Sequence, residues 1–296
     1  MTDEAVLRIH GVIGHGKTPH HPALPAGRAG LAFTWLPARG DQGATVALFG
    51  TGTVGMPHAV VYGGYLDGAI LVVAIHLATG QVYASAPVDS DVVPLSARRL
   101  DPDAAVASAS PLAQKMSMTT HFNADLAVLL GLPAEGGDYG VFLWLDDLTT
   151  PVQRVHVPEN AARRAPAASR PAAVELTVGG AAHAPARGEE AIALEWAPGK
   201  ARLVGSLAAS ALDREPDSAR EPPPLTVLAL CQRSRALGWH STPVAERMRK
   251  AGGHSFEVDP GALVQCAVPP ERRFALAVLG GLGPAVAVIP PDEPAR

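Results

Sequence analysis

Histidine is concentrated near the amino terminus, where His10, His15, His20 and His21 fall within the glycine- and proline-rich stretch IHGVIGHGKTPHHPALP. Imidazole nitrogens bind zinc and copper, and a loop backbone is free to aim several of them at one ion. A second group, Lys115-Met116-Ser117-Met118-Thr119-Thr120-His121, sets two thioethers beside an imidazole, a donor set that suits cuprous copper. His15, His20, His21, Met116, Met118 and His121 are therefore the candidate ligands of a copper or zinc site, with Met56 and His58 in the same half of the chain. The competing reading makes the histidines a tolerant surface loop and the methionines alternating strand residues that fill gaps in a core. No HExxH pattern or fixed Cys/His spacing decides between the two.

Other chemistry has less behind it. Gly11 to Thr18, GVIGHGKT, matches G-x-x-x-x-G-K-[ST] literally. A phosphate loop must open a helix, however, and TPHHPALP interrupts one at once with two prolines, so the match is read as chance. GTGTVG (Gly50 to Gly55) follows a strand-like run but lacks the Gly-Lys-Thr ending, and the segment up to Gly68 reads as a glycine-rich loop. Cys231 and Cys266 lack CxxC spacing and stand where the first half has Ile75 and approximately Leu132, as small buried hydrophobes would. His240-Ser241 and His254-Ser255 are adjacent on strand-like runs, so each pair points to opposite faces and forms no dyad. No catalytic residue is assigned, and the chain reads as a non-enzyme.

The elements that would carry these residues are strands. VLRIHGVI, LAFTWL, TVALFG, AILVVAIHL, QVYASAPV, YGVFLWL and VQRVHV are short, apolar and bounded by turn formers. VELTV, AIALEW, ARLVGSLA, LTVLALC, SFEVD, FALAVLG and AVAVIP repeat the series in the second half. Three blocks match in one order. Gly27 to Pro37 lies on Gly188 to Pro198 with Trp35 on Trp196; Leu71 to Val88 lies on Val227 to Val244 with Tyr83 on Trp239; and Phe122 and Asp125 lie on Phe256 and Asp259. Matched blocks in constant order imply internal duplication. The paired aspartates then belong to the scaffold, as caps of the turn that follows each phenylalanine. The paired aromatics read as core or rim residues between sheets.

The expected fold is all-β: two tandem antiparallel β-sandwich domains with few short helical turns. The first domain spans 1–158 and carries the His-rich loop; an Ala/Pro/Arg linker covers 159–173; the second domain spans 174–296. Ala124 to Leu132 and Val244 to Gly253 are the places for brief helices, and Ala208 to Pro224 for a long loop. The strand order and the Trp-x-Pro and Phe-x-x-Asp features resemble bacterial tandem immunoglobulin-like or fibronectin-like sandwiches. That resemblance implies adhesion, recognition, assembly or carbohydrate binding and carries over no functional residue.

Composition sets the outer bounds. Across 296 residues, 47% hydrophobic and 18% charged content is globular. A net charge of −4 with scattered basic residues gives no footprint for nucleic acid, and no run reaches a membrane span. MTDEAVLRIHG has no basic and apolar leader pattern, so the expected location is cytoplasmic. The function these features imply is a structural or protein-binding module, acting through a protein partner or self-assembly, with metal binding as the alternative.

Overall fold

Short apolar runs punctuated by turn residues fold, among the described residues, into four sheets. In this computed structural model the described residues are 7–25, 27–61, 66–87, 109–146 and 148–160, with the strand segments 177–179, 192–197, 202–208, 225–231, 237–242, 253–258, 274–279 and 284–289. The chain divides into two compact units, residues 1–75 with 83–168 and residues 76–82 with 169–296. Of the linker expected at 159–173, residues 161–173 lie outside the described residues.

The first unit contains, in chain order, β1 (Leu7–Arg8), β2 (Ile13–His15), β3 (Gly30–Gly40), β4 (Gly43–Gly55), α1 (Met56–Val61), α2 (Leu66–Ala69), β5 (Leu71–His76) and β6 (Val82–Ser85). A 3-10 turn (Ala113–Lys115), β7 (Ser117–Asp125), α3 (Leu126–Leu130), β8 (Gly137–Leu145), β9 (Leu148–Thr149) and β10 (Gln153–Val157) follow. One sheet has the order β1-β3-β4-β7-β2 and the other β10-β8-β5-β6, with β9 beside β8. Among the described residues every pairing with a defined register is antiparallel except β1 with β3.

Side-chain alternation explains the layering. Along β4, Val46, Leu48 and Val54 join Leu31, Phe33 and Phe122 on the inner face of the first sheet. They pack against Val72, Ala74, Tyr139, Val141, Leu143 and Val155 of the second sheet to form one core between the layers. Val73, Ile75, Phe142 and Trp144, on the other face of β5 and β8, are buried as well, so the apolar run AILVVAI is enclosed on both sides. Trp35 and Tyr83 are half-buried against the core, at its rim.

The segment read from sequence as a loop after Phe49 is corrected here. β4 runs on through Gly55, and two short helices, α1 and α2, follow it. The glycines are strand residues because larger side chains lie over them. A Cβ at Gly50 would collide with the ring of Phe122, and one at Gly52 would stand 2.6 Å from Ile70 Cδ1.

Asp125 ends β7 and caps α3. Its Oδ1 accepts from the N–H groups of Ala127 and Val128 at 3.1 Å each and from the Thr45 hydroxyl at 2.5 Å. Gly131, in the left-handed region at φ 58°, closes the same helix. The short helix expected within 124–132 and the capping role of Asp125 are both present. Its counterpart within 244–253 lies outside the described residues except for Gly253, and Asp259 lies outside them too.

The second unit is built from β11 (Thr177–Gly179), β12 (Ile192–Ala197), β13 (Arg202–Ala208), β14 (Leu225–Cys231), β15 (Leu237–Thr242), β16 (Gly253–Val258), β17 (Phe274–Leu279) and β18 (Pro284–Ile289). Its sheets have the orders β11-β16-β13-β12 and β15-β14-β17-β18, antiparallel throughout. With β1 set aside, these are the orders of the first unit read element for element: β2-β7-β4-β3 and β6-β5-β8-β10. The register agrees also. Trp35 pairs with Leu48, which pairs with Ala124; Trp196 pairs with Leu203, which pairs with Val258. Phe122 lies opposite Gly50, as Phe256 lies opposite Gly205. Two sequence matches made independently, at the tryptophans and at the phenylalanines, thus fall on equivalent rungs. The chain is all-β, two tandem antiparallel β-sandwiches with few short helical turns.

Candidate functional site

The histidines come together only in part, and the strands decide which do. Along β7, Phe122 and Ala124 face the core, so His121 and Asn123 face the opposite side of the sheet. Residues 16–25 cross that outer side as a strap. Gly16 N–H donates to His121 C=O at 3.2 Å, the Thr34 hydroxyl to His20 C=O at 2.8 Å, and the Thr51 hydroxyl to Pro22 C=O at 3.0 Å. On this side of the sheet Phe49 forms a small apolar cluster with Ala38 and Ala47, with Leu7, Ile9 and Leu36 against it.

His21 pins this strap. Only 8% exposed, it accepts from Thr18 N–H at Nδ1 (2.9 Å), with the Thr18 hydroxyl 3.0 Å from the same nitrogen. Since Nδ1 is the acceptor, Nε2 carries the proton and donates to Phe122 C=O at 3.0 Å. Both ring nitrogens through which the imidazole could bind a metal are thereby in use, one accepting and one donating. His20 lays its ring against Phe49, centroids 5.0 Å apart, and His21 meets Phe49 edge-on at 5.6 Å.

His121 stands 5.2 Å from His21, ring to ring and near perpendicular. The hydroxyl proton of Thr51 goes to Pro22, so the Thr51 oxygen accepts from His121 Nδ1–H at 3.2 Å. Partial burial holds the His121 pKa below its usual value, and the nearby His21 and Lys17 lower it further.

The remaining expected ligands are elsewhere. His15 pairs with Phe122 across the ladder and so belongs to the core side of the sheet edge, where Nδ1 lies 3.1 Å from Asp67 Oδ2. Met118 packs against the core, on the opposite side of β7 from His121. Met116 precedes the strand and is exposed, its carbonyl accepting from Met56 N–H at 2.9 Å. Thus His20, His21 and His121 share one face, while His15, Met116 and Met118 do not reach it. Among the described residues no group of three or more His, Cys, Asp or Glu side chains is placed to hold a metal ion.

Sequence reasoning did not find the partners that give these histidines their roles: Thr18, Thr51, Asp67 and the Phe122 carbonyl. The available signal was Thr18 standing three residues before His21, a spacing at which a backbone N–H reaches an imidazole. The same pairing recurs in reverse order at His76 and Thr79, where Thr79 N–H donates to His76 Nδ1 at 3.3 Å. Two further imidazoles meet carboxylates, His10 with Asp41 at 3.3 Å and His156 with Asp138 at 2.9 Å. Cys231 closes β14 opposite Phe274, and Cys266 lies outside the described residues.

No family model matches this chain, and no curated protein matches it. Among solved structures, the Fcho1 Mu homology domain of Danio rerio with bound Eps15 peptide aligns over 91% of this chain and 93% of that one. The identity is 11% and the TM-score 0.12, a value from which no shared fold follows. No helix among the described residues is long and apolar enough to cross a membrane.

Proposed function

We propose that this chain is a non-enzymatic structural or protein-binding module, made by duplication of one β-sandwich and acting through a protein partner or self-assembly. The observation that carries this reading is the use made of its imidazoles. His21 spends both nitrogens on Thr18 and Phe122, and His10, His15, His76 and His156 each meet a neighbour that ties a turn or a strand end. Side chains spent on bracing strengthen a rigid body rather than a reacting centre. The common strand order supports the duplication, because two folds of separate origin have no reason to repeat both sheet orders and the Phe-opposite-Gly rung.

Tagged full-length chain, crosslinked in its source cells and purified, tests the reading. A complex of fixed stoichiometry, with another protein or with further copies of the chain, is the expected result. Monomer without a stoichiometric companion would overturn it. So would near-stoichiometric copper or zinc in untagged protein that is lost when His15, His20 and His21 are replaced by alanine.

A further inference from the structure

Sheet edges are where a β-sandwich is open to another chain, and most natural edges carry a device that blocks pairing. In the first unit β10 bears Arg154 and His156, both engaged with Asp138. β3, beside which β1 covers only Ala38 and Arg39, contains Pro37 and has its Phe33 carbonyl taken by Gln153 Nε2 at 3.1 Å. β6 is half-buried or buried along its length. β2 differs from all of these. It ends the first sheet beside β7, and its residues Ile13-Gly14-His15 include no proline and no Lys, Arg, Asp or Glu. Val12 is 41% exposed, and His15 is exposed with its ring directed to Asp67.

The hydrogen bonds of this edge show which backbone groups face β7 and which, among the described residues, have no partner. Val12 C=O accepts from Asp125 N–H at 3.0 Å, and Gly16 N–H donates to His121 C=O at 3.2 Å, so even-numbered residues face β7. By the alternation of an antiparallel ladder, the N–H and C=O of Ile13 and His15 point away from the sheet. These two residues are symmetric about Gly14.

We propose that β2 is a self-pairing edge, joining two copies of this chain through antiparallel β2 strands about a two-fold axis at Gly14. In that register Ile13 of one copy faces His15 of the other and each pair exchanges two bonds, about four hydrogen bonds in all. Gly14 meets Gly14 in the closer, non-bonded pair, where neither has a side chain to collide. A second copy is the occupant because it supplies the matching donors and acceptors at the matching spacing without any added specificity. The inference rests on the protein-binding reading and names one surface for it. The contact is small, so association is concentration-dependent.

Light scattering on size-separated full-length chain, from about 5 to about 500 µM, reads the association. Wild type is expected to pass from monomer to dimer. Ile13→Pro removes an outward N–H without touching the bonds to β7, and Val12→Lys sets a charge on the edge itself, opposite Gly16 of the other copy. Both should weaken dimerisation by about tenfold or more while keeping the circular dichroism and thermal midpoint of wild type. Should Ile13→Pro unfold the chain, Val12→Lys at an exposed position supplies the test. A wild-type monomer at every concentration, or a dimer unaffected by Val12→Lys, overturns the proposal. A monomer that still forms a stoichiometric complex with another protein would overturn self-pairing alone and leave the binding-module reading standing.

Discussion

A histidine paired with a backbone amide three residues away does a different task from one that binds an ion, and the difference lies in its second nitrogen. His21 has committed Nε2 to Phe122 C=O, so its ring bridges strap and sheet. His121, beside it, gives this face a dependence on pH. Desolvation first, then His21 and Lys17, favour its neutral form in the folded chain. The unfolded chain therefore binds the proton more readily, from about the ordinary value of 6.5 downward. The His121 contribution to stability is flat above that value, falls as pH drops through it, and levels once pH is below the folded pKa. Thermal unfolding across about pH 5 to 8 should show this fall in wild type and a shallower one in His121→Gln, the difference between the two curves isolating His121 from the other histidines. Equal slopes would show that His121 does not contribute. Only the Thr18 half of the His21 role had a local signal in the sequence; the Phe122 carbonyl and the neighbours of His121 are brought from a distance.

At the scale of elements, the helix α3 was readable because every signal for it is local. Asp125 supplies the cap, the run Leu126–Leu130 the apolar turn, and Gly131 the stop. The far part of β4 was unreadable for the opposite reason. Glycine in GTGTVG carries the local signature of a loop, yet at Gly50 and Gly52 it makes room for Phe122 and Ile70 from other parts of the chain. Gly50→Ala should accordingly destabilise the first unit by about 2 kcal/mol or more, since Phe122 is fully buried and cannot swing away. Urea denaturation measures the loss, and pairing Gly50→Ala with Phe122→Leu should recover part of it. An alanine that leaves the transition unmoved would mean that the ring has room to shift.

The whole molecule repeats the device at the level of register. Gly205 stands opposite Phe256 on the rung equivalent to Gly50 and Phe122. If both units descend from one sandwich, Gly205→Ala should also destabilise by about 2 kcal/mol, whereas alanine is accommodated in an ordinary strand at a cost well under 1 kcal/mol relative to glycine, or with a gain. A neutral Gly205→Ala beside a damaging Gly50→Ala would separate the two rungs and weaken the case for common origin. Sequence alone determined the all-β class, the short apolar strands and the matched Trp35/Trp196 and Phe122/Phe256 positions, because alternation, turn residues and residue identity are properties of the chain itself. Only the tertiary structure decided which side of β7 each chemistry-bearing residue occupies. It set His121 with His20 and His21, put Met118 in the core and sent His15 to Asp67, because a strand's two faces are assigned by the core it must cover.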